Sequence, residues 1–140
     1  MLKVNKKVEY ALMSLKYMAE KSGSQLSTAR EICDSLNIPF DPTARALQLL
    51  NQENILSSIK GVKGGYKLNK PLSDISFMQL NQIIEKKADH SFCTDKMGKA
   101  CELSHNCTIS SPMQNLGFQV NQFFNQLNLN ELLFNHGDQQ

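Results

Sequence analysis

Residues 27–53 read STAREICDSLNIPFDPTARALQLLNQE, and the way this stretch breaks into helices decides the fold. Ser27 or Thr28 is placed to cap a short helix, and Glu31 follows Thr28 by three residues, as in a capping box. Ile32 and Leu36 form the buried edge of that helix, and Asn37-Ile38-Pro39-Phe40 interrupts it. Asp41 then caps a further helix with Pro42 at its first position, where a missing N–H costs nothing. Ala46, Leu47 and Leu50 supply its inner face as far as about Glu53.

Working outward, residues 5–21 place Val8, Leu12, Leu15 and Ala19 on one stripe of an amphipathic helix, with Ala11 and Met18 beside them. Ser22-Gly23-Ser24 stops it. Downstream, Ile55-Leu56 and Ser57-Ser58-Ile59 form a short β-type run. Gly61-Val62-Lys63-Gly64-Gly65 turns the chain, and Tyr66-Lys67-Leu68 returns it as a second strand. Three helices followed by a hairpin predict a winged helix-turn-helix over residues 1–71.

Pro71 to Ser76 is a connector, and Ser76 to Lys87 reads as a helix with Phe77, Leu80, Ile83 and Ile84 on one side. Residues 88–111 have no periodicity and hold a group of cysteines, so 72–111 is expected to be a connecting helix and a cysteine-rich loop. In residues 112–136 Met113, Leu116, Val120, Phe123 and Leu127 are spaced 3, 4, 3, 4, a heptad-like seam widened by Phe124 and Leu132. A helix so apolar on one edge is buried against a partner chain or back on its own domain. The partner is the economical answer, which predicts a homodimer. Residues 137–140 are expected to be a flexible tail. The whole is a mainly α fold with a small β-hairpin: a winged helix-turn-helix plus a long C-terminal dimerisation helix.

Hydrophobic content of 41% with 20% charge is globular composition for the 140 residues. No apolar run approaches the roughly 18–20 residues that span a bilayer. The opening MLKVNKKVEYAL has no apolar core or small-residue cleavage site, so a cytoplasmic location without membrane partner is expected. Charge is uneven along the chain. Residues 1–70 carry 11 Lys/Arg against 6 Asp/Glu, and residues 71–140 carry 4 against 7. A basic half beside a mildly acidic one fits a module for a polyanion fused to something else. An enzyme is disfavoured: there is no Gly-rich phosphate loop, no nucleophile–base pairing and no paired carboxylates, and the three histidines at 90, 105 and 136 make no catalytic set.

The second helix of a helix-turn-helix enters the major groove of double-stranded DNA and its first turns meet base edges. Thr43, Ala44 and Arg45 fall in those turns here, with Arg45, Gln48 and Gln52 on one face at i, i+3 and i+7. Arg and Gln make bidentate contacts to guanine and adenine. Thr28 can donate to a phosphate. Lys60, Lys63 and Lys67 place three cations around the glycine turn, suited to phosphate neutralisation, although each alone is also an ordinary solvated lysine.

Four cysteines stand at 33, 93, 101 and 107, a number that in a reducing compartment does not point to a disulfide framework. Cys93-x7-Cys101-x5-Cys107 supplies three soft thiolates on irregular backbone. Paired CxxC knuckles, the zinc signature, are absent, and wide spacing in an open loop fits an iron–sulfur cluster, with zinc or plain thiols as the alternatives. Within reach of a fourth position are His105 and Glu102 in the loop, Cys33 further off, and Glu9 on the first helix.

These residues resemble the bacterial iron–sulfur winged-helix regulators that include IscR, NsrR and the iron regulator RirA. The resemblance covers nearly the whole chain and rests on Glu9-Tyr10-Ala11-Leu12, on Gly61-Val62-Lys63-Gly64-Gly65-Tyr66-Lys67-Leu68 and on the three-cysteine loop. Lys60 stands where the family's wing usually has arginine, which keeps the charge and loses the bidentate fork. The resemblance implies a homodimer crossed through the C-terminal helix. It also implies a cluster held by Cys93, Cys101 and Cys107, the first spacing being two residues longer than usual. IscR-like members complete the site with a histidine three residues after the last cysteine, where this chain has Ser110. NsrR-like members use a carboxylate from the first helix of the other subunit, and Glu9 occupies that position. Glu9 is therefore the expected fourth ligand, His105 the runner-up and Cys33 third. Lack of the histidine favours [4Fe–4S] over [2Fe–2S]. The implied function is a transcriptional repressor whose operator binding answers to nitric oxide, redox state or iron. The alternative is a cluster-free thiol-switch or metabolite-responsive repressor of the same fold.

Overall fold

The computed structural model describes residues 4–21, 25–86, 99–103 and 105–135. The first helix, α1, runs Lys6–Glu20 and is capped by Asn5, whose side-chain oxygen accepts from the Lys7 N–H at 2.9 Å. Its inner stripe of Val8, Ala11, Leu15 and Met18 is buried. Ser14 lies on the same stripe and is satisfied by donating to the Tyr10 carbonyl at 2.8 Å.

Helix α2, Ala29–Leu36, starts where Thr28 Oγ1 accepts from the Glu31 N–H at 3.0 Å. Only half of the capping box forms. The Glu31 carboxylate turns away to the Lys21 ammonium, 2.7 Å distant at the end of α1. Asn37, in the left-handed region at φ 55°, closes α2.

Helix α3 runs Phe40–Gln52, starting two residues earlier than the sequence suggests. Its N-cap is Pro39, not Asp41, and no side chain caps its first N–H groups. Pro42 is tolerated because its missing N–H still falls in the first turn. Leu47 and Leu50 are fully buried, and Ala46 nearly so. With α1 and α2 they make the centre of one core that also takes in Ile55, Leu72, Ile75 and Leu80.

Strands β1, Leu56–Ile59, and β2, Gly65–Leu68, pair antiparallel in the register Leu56↔Leu68 to Ile59↔Gly65. Ser27 adds a bridge to Tyr66 on the other edge of β2, with N···O distances of 2.9 and 2.7 Å. A 3₁₀ turn over Leu72–Asp74 lies in the segment read as a plain connector. Helix α4, Phe77–Glu85, is capped by Ser76, whose hydroxyl accepts from the Gln79 N–H at 3.0 Å, and it closes at Lys86, just short of the expected end.

The C-terminal seam departs most from expectation. Helix α5 covers Ser110–Gln126, the chain breaks at Leu127, and a separate helix α6 covers Leu129–Phe134. Asn128 causes the break: its side chain accepts from the Glu131 N–H at 2.8 Å and starts a new helix. The strand-like step is tied to the body, since the Phe77 N–H donates to the Leu127 carbonyl at 2.8 Å and the Leu129 N–H to Ile75 at 2.9 Å. The end of the seam therefore packs on its own domain, with Leu129 fully buried and the Phe77 and Phe124 rings 5.0 Å apart. Leu116 and Phe123 remain 42% and 60% exposed. Among the described residues no helix is long and apolar enough to cross a membrane. The tail over 137–140 lies outside the described residues.

Candidate nucleic-acid interface and cysteine loop

The inner face of α3 is fixed by the core, so its outer face is fixed too: Asp41, Arg45, Gln48 and Gln52 are all exposed. Arg45 and Gln48 lie one turn apart, with Arg45 Nη1 3.5 Å from Gln48 Oε1. Ala44 is half-buried beside them. Thr43 is a correction. It is fully buried, and its hydroxyl donates to the Pro39 carbonyl at 2.7 Å, so it closes the helix-turn-helix turn and does not face a groove. The register explains this: Thr43 stands three residues before Ala46 on the inner stripe.

Thr28 remains exposed, and capping uses only its acceptor lone pair, leaving the O–H proton free for an anion. Arg30, not singled out from the sequence, stacks its guanidinium 4.2 Å from the centroid of Phe40, so a fixed cation stands at the start of α3. Only the fold brings those two together, since ten positions separate them in the chain.

The hairpin packs against α3 through β1 and against α1 through β2. Lys60 and Lys63 are exposed at its turn, and Lys67, across from Ser57, is half-buried. Two glycines of the turn are obligatory. A Cβ on Gly64 would overlap the Ile59 carbonyl oxygen, and Gly65 has φ +148° while passing hard against Ser27. Val62 at the tip is fully exposed.

Of the cysteines, Cys33 is buried in α2 with its Sγ 3.8 Å from the Pro39 carbonyl. It packs as a small apolar side chain under the turn, and the structure removes it from the ligand candidates. Cys101 is exposed and Cys107 half-buried, both free, on the backbone leading into α5. His105 is exposed between them. Cys93 lies outside the described residues. Glu9 sits on α1 with its carboxylate 3.0 Å from the Lys6 ammonium, which it holds protonated above the ordinary lysine value by hydrogen bonding and charge. Among the described residues no three of His, Cys, Asp and Glu converge, so one protomer does not bring Glu9 or His105 together with both loop thiols.

Residues 4–135 match the family model described as Rrf2, iron-dependent transcriptional regulator. Among curated proteins, the chain is 29% identical over 108 residues to the HTH-type transcriptional regulator NsrR of Oceanobacillus iheyensis, covering 77% of this chain and 74% of that protein. It is 23% identical over 134 residues to the regulator IscR of Escherichia coli, covering 96% and 82%. Among solved structures it shares the fold of CymR, the global cysteine regulator of B. subtilis, at a TM-score of 0.72, 19% identity and coverage of 94% and 96%. It shares that of T. potens IscR at 0.68, 16% identity and coverage of 96% and 88%. With the family model spanning nearly every residue of the winged helix, the loop and the C-terminal helices, the chain belongs to the Rrf2 family of transcriptional regulators, which are not enzymes.

Proposed function

We propose that two copies of this chain, joined through α5, act in the cytoplasm as an operator-binding repressor controlled by an iron–sulfur cluster. Arg45 and Gln48 read base edges, while Thr28, Lys60, Lys63 and Lys67 hold phosphates, with Arg30 as an added phosphate contact. Ala44 offers its methyl group on the same helix. The reading is carried by the contrast between cysteines: the core buries Cys33, whereas Cys101 and Cys107 are presented as free thiols on irregular backbone just before α5. That donor set, with Cys93, suits soft iron centres.

Cys93, Cys101 and Cys107 would hold the cluster, proposed as [4Fe–4S], with Glu9 of the second copy as the fourth ligand and His105 as the runner-up. Such a cluster, when bound, reacts with nitric oxide and oxidants and is lost on iron depletion. Glu9 is free for this role at little cost, since its pairing with Lys6 is exposed and solvent screens such pairs. Standing on α1, which packs on α3, Glu9 links the state of the loop to the helix that reads DNA.

The test is anaerobic purification followed by absorption spectra and iron and sulfide counts. A brown protein that loses colour in Cys93→Ala, Cys101→Ala and Cys107→Ala, and whose Glu9→Ala form assembles a cluster with a shifted spectrum and shorter lifetime, supports the reading. If Glu9→Ala is silent while His105→Ala alters spectrum and lifetime, the fourth ligand lies in the loop. A colourless protein whose operator binding follows reversible oxidation of Cys101 and Cys107 would establish the thiol switch instead. The exposure of Cys101 favours that second reading over a metabolite signal through the loop.

A further inference from the structure

Beside the reading face of α3 the surface is concave. A cleft of about 310 Å³ is walled by Lys7 of α1, Arg45 of α3 and Lys86 at the end of α4, over a floor that includes Ala46, Leu49 and Ile84. It adjoins a wider hollow of about 650 Å³ that shares Leu49 and Lys86. None of the three cations forms an ion pair among the described residues, whose ion pairs all involve other lysines. The first turn of α1 adds the positive end of its helix dipole beside Lys7. Lys86 is held there at a cost. It ends α4 in the left-handed region at φ 57°, where glycine is the usual residue and a side chain is disfavoured.

We propose that this cleft binds a small organic anion, a carboxylate or similar group on a short apolar body, and that its occupant competes with DNA for Arg45. Three cations fix the charge of the ligand. The floor fixes its other half, because Ala46 and Ile84 are buried and Leu49 half-buried, and water against them gains nothing. A duplex backbone is convex and hydrated, and would meet the cations at the rim without reaching that floor. The coupling follows from Arg45 lining the cleft while also approaching Gln48 on the reading face. Its guanidinium cannot clasp a carboxylate and a guanine edge at once. This consequence rests on the DNA-reading role proposed above, whereas ligand binding does not.

Benzoate is a suitable probe, with benzamide as its neutral counterpart and inorganic phosphate as an anion without an apolar body. In amide ¹H–¹⁵N spectra of the full chain, benzoate should saturably shift Lys7, Ala46, Leu49 and Ile84. Benzamide should bind at least about tenfold more weakly, the scale of one lost charge-assisted bond, and so should phosphate for want of the floor. Lys7→Gln with Lys86→Gln should weaken benzoate by a similar factor. Excess benzoate should lower affinity for a duplex selected by the wild-type protein from a random pool. Equal binding of benzamide or of phosphate, or shifts that map elsewhere, overturns the proposal. So does a double variant that keeps benzoate affinity but loses affinity for all duplexes alike, since the lysines would then serve the DNA backbone. Should no duplex be selected at all, the DNA-reading assignment falls while the benzoate shifts still decide the cleft.

Discussion

Gly65 passes Ser27 so closely that a Cβ on Gly65 would lie 2.9 Å from both the carbonyl carbon and the carbonyl oxygen of Ser27. This crossing is where the wing is sewn to the segment that begins the helix-turn-helix. Gly65→Ala adds that clash to a backbone at φ +148°, which an L side chain adopts at a cost of about 1–3 kcal/mol. Denaturant unfolding should show a loss of that size. Affinity for duplex DNA should fall at the same time, through a displaced wing. An unchanged midpoint would mean that the wing hangs free of Ser27.

Arg45→Ala should relax sequence preference, because a good base-edge contact gives about 1–3 kcal/mol of discrimination. Lys63→Ala should weaken all sequences alike and lower the slope of log affinity against log salt by about one. Competition binding between selected and random duplexes separates the two. Equal losses on both duplexes for Arg45→Ala would move the reading role to another residue.

Thr43→Val tests the correction made by the fold. The change removes the hydroxyl that donates to the Pro39 carbonyl and should cost about 0.5–1.5 kcal/mol of stability. Base preference of the folded protein should stay as it was. A shift in preference at full stability would place Thr43 in the groove after all.

Leu116→Gln with Phe123→Gln should yield monomers in sedimentation while leaving the melting temperature of the monomer close to that of the parent at high dilution. Both side chains face outward, so the fold of one protomer does not depend on them. A dimer mass retained by this variant would assign the interface to another surface.

The Lys21–Glu31 pair carries a pH signature. The hydrogen bond from Lys21 to the Glu31 carboxylate raises the lysine above its ordinary value of 10.5. A raised lysine contributes its stability fully below that ordinary value and loses it as pH rises through the higher, folded-state one. Melting curves of the parent and of Glu31→Gln should differ at pH about 8 and converge above the raised value. A gap that persists in strong alkali would show that Glu31 acts through something other than this ion pair.

Local chemistry written in contiguous residues was legible in the sequence. Thr28 caps the helix it precedes, and the glycine turn makes the hairpin. On α1 the expected stripe keeps Val8 and Leu15 buried, while Ala11 and Met18 take the places given to Leu12 and Ala19, which are half-buried. Two errors share one origin, the choice between competing start signals. Asp41-Pro42 was the stronger-looking cap, yet Pro39 already sets the extended backbone and Thr43 bonds back to it. At the other end, Asn128 with Glu131 is a start signal inside an apolar seam, and the seam's regular spacing concealed it. The stacking of Arg30 on Phe40 and the cleft of Lys7, Arg45 and Lys86 had no signal, because their members lie on different helices. Of the sensor, the sequence supplies the thiols, and the fold sorts Cys33 from the loop.

The step at Leu127 and Asn128 has a metric consequence. Its hydrogen bonds to Phe77 and Ile75 clamp the far end of α5 to the body that carries α3. In a dimer crossed through α5, that clamp makes each reading helix a fixed jaw of a caliper whose hinge is the crossing point. The span between jaws then selects operators by the distance between half-sites, in helical turns of DNA, independently of the bases they contain. Loosening the clamp, as by Asn128→Gly, should widen the tolerated spacer lengths before it alters the preferred half-site.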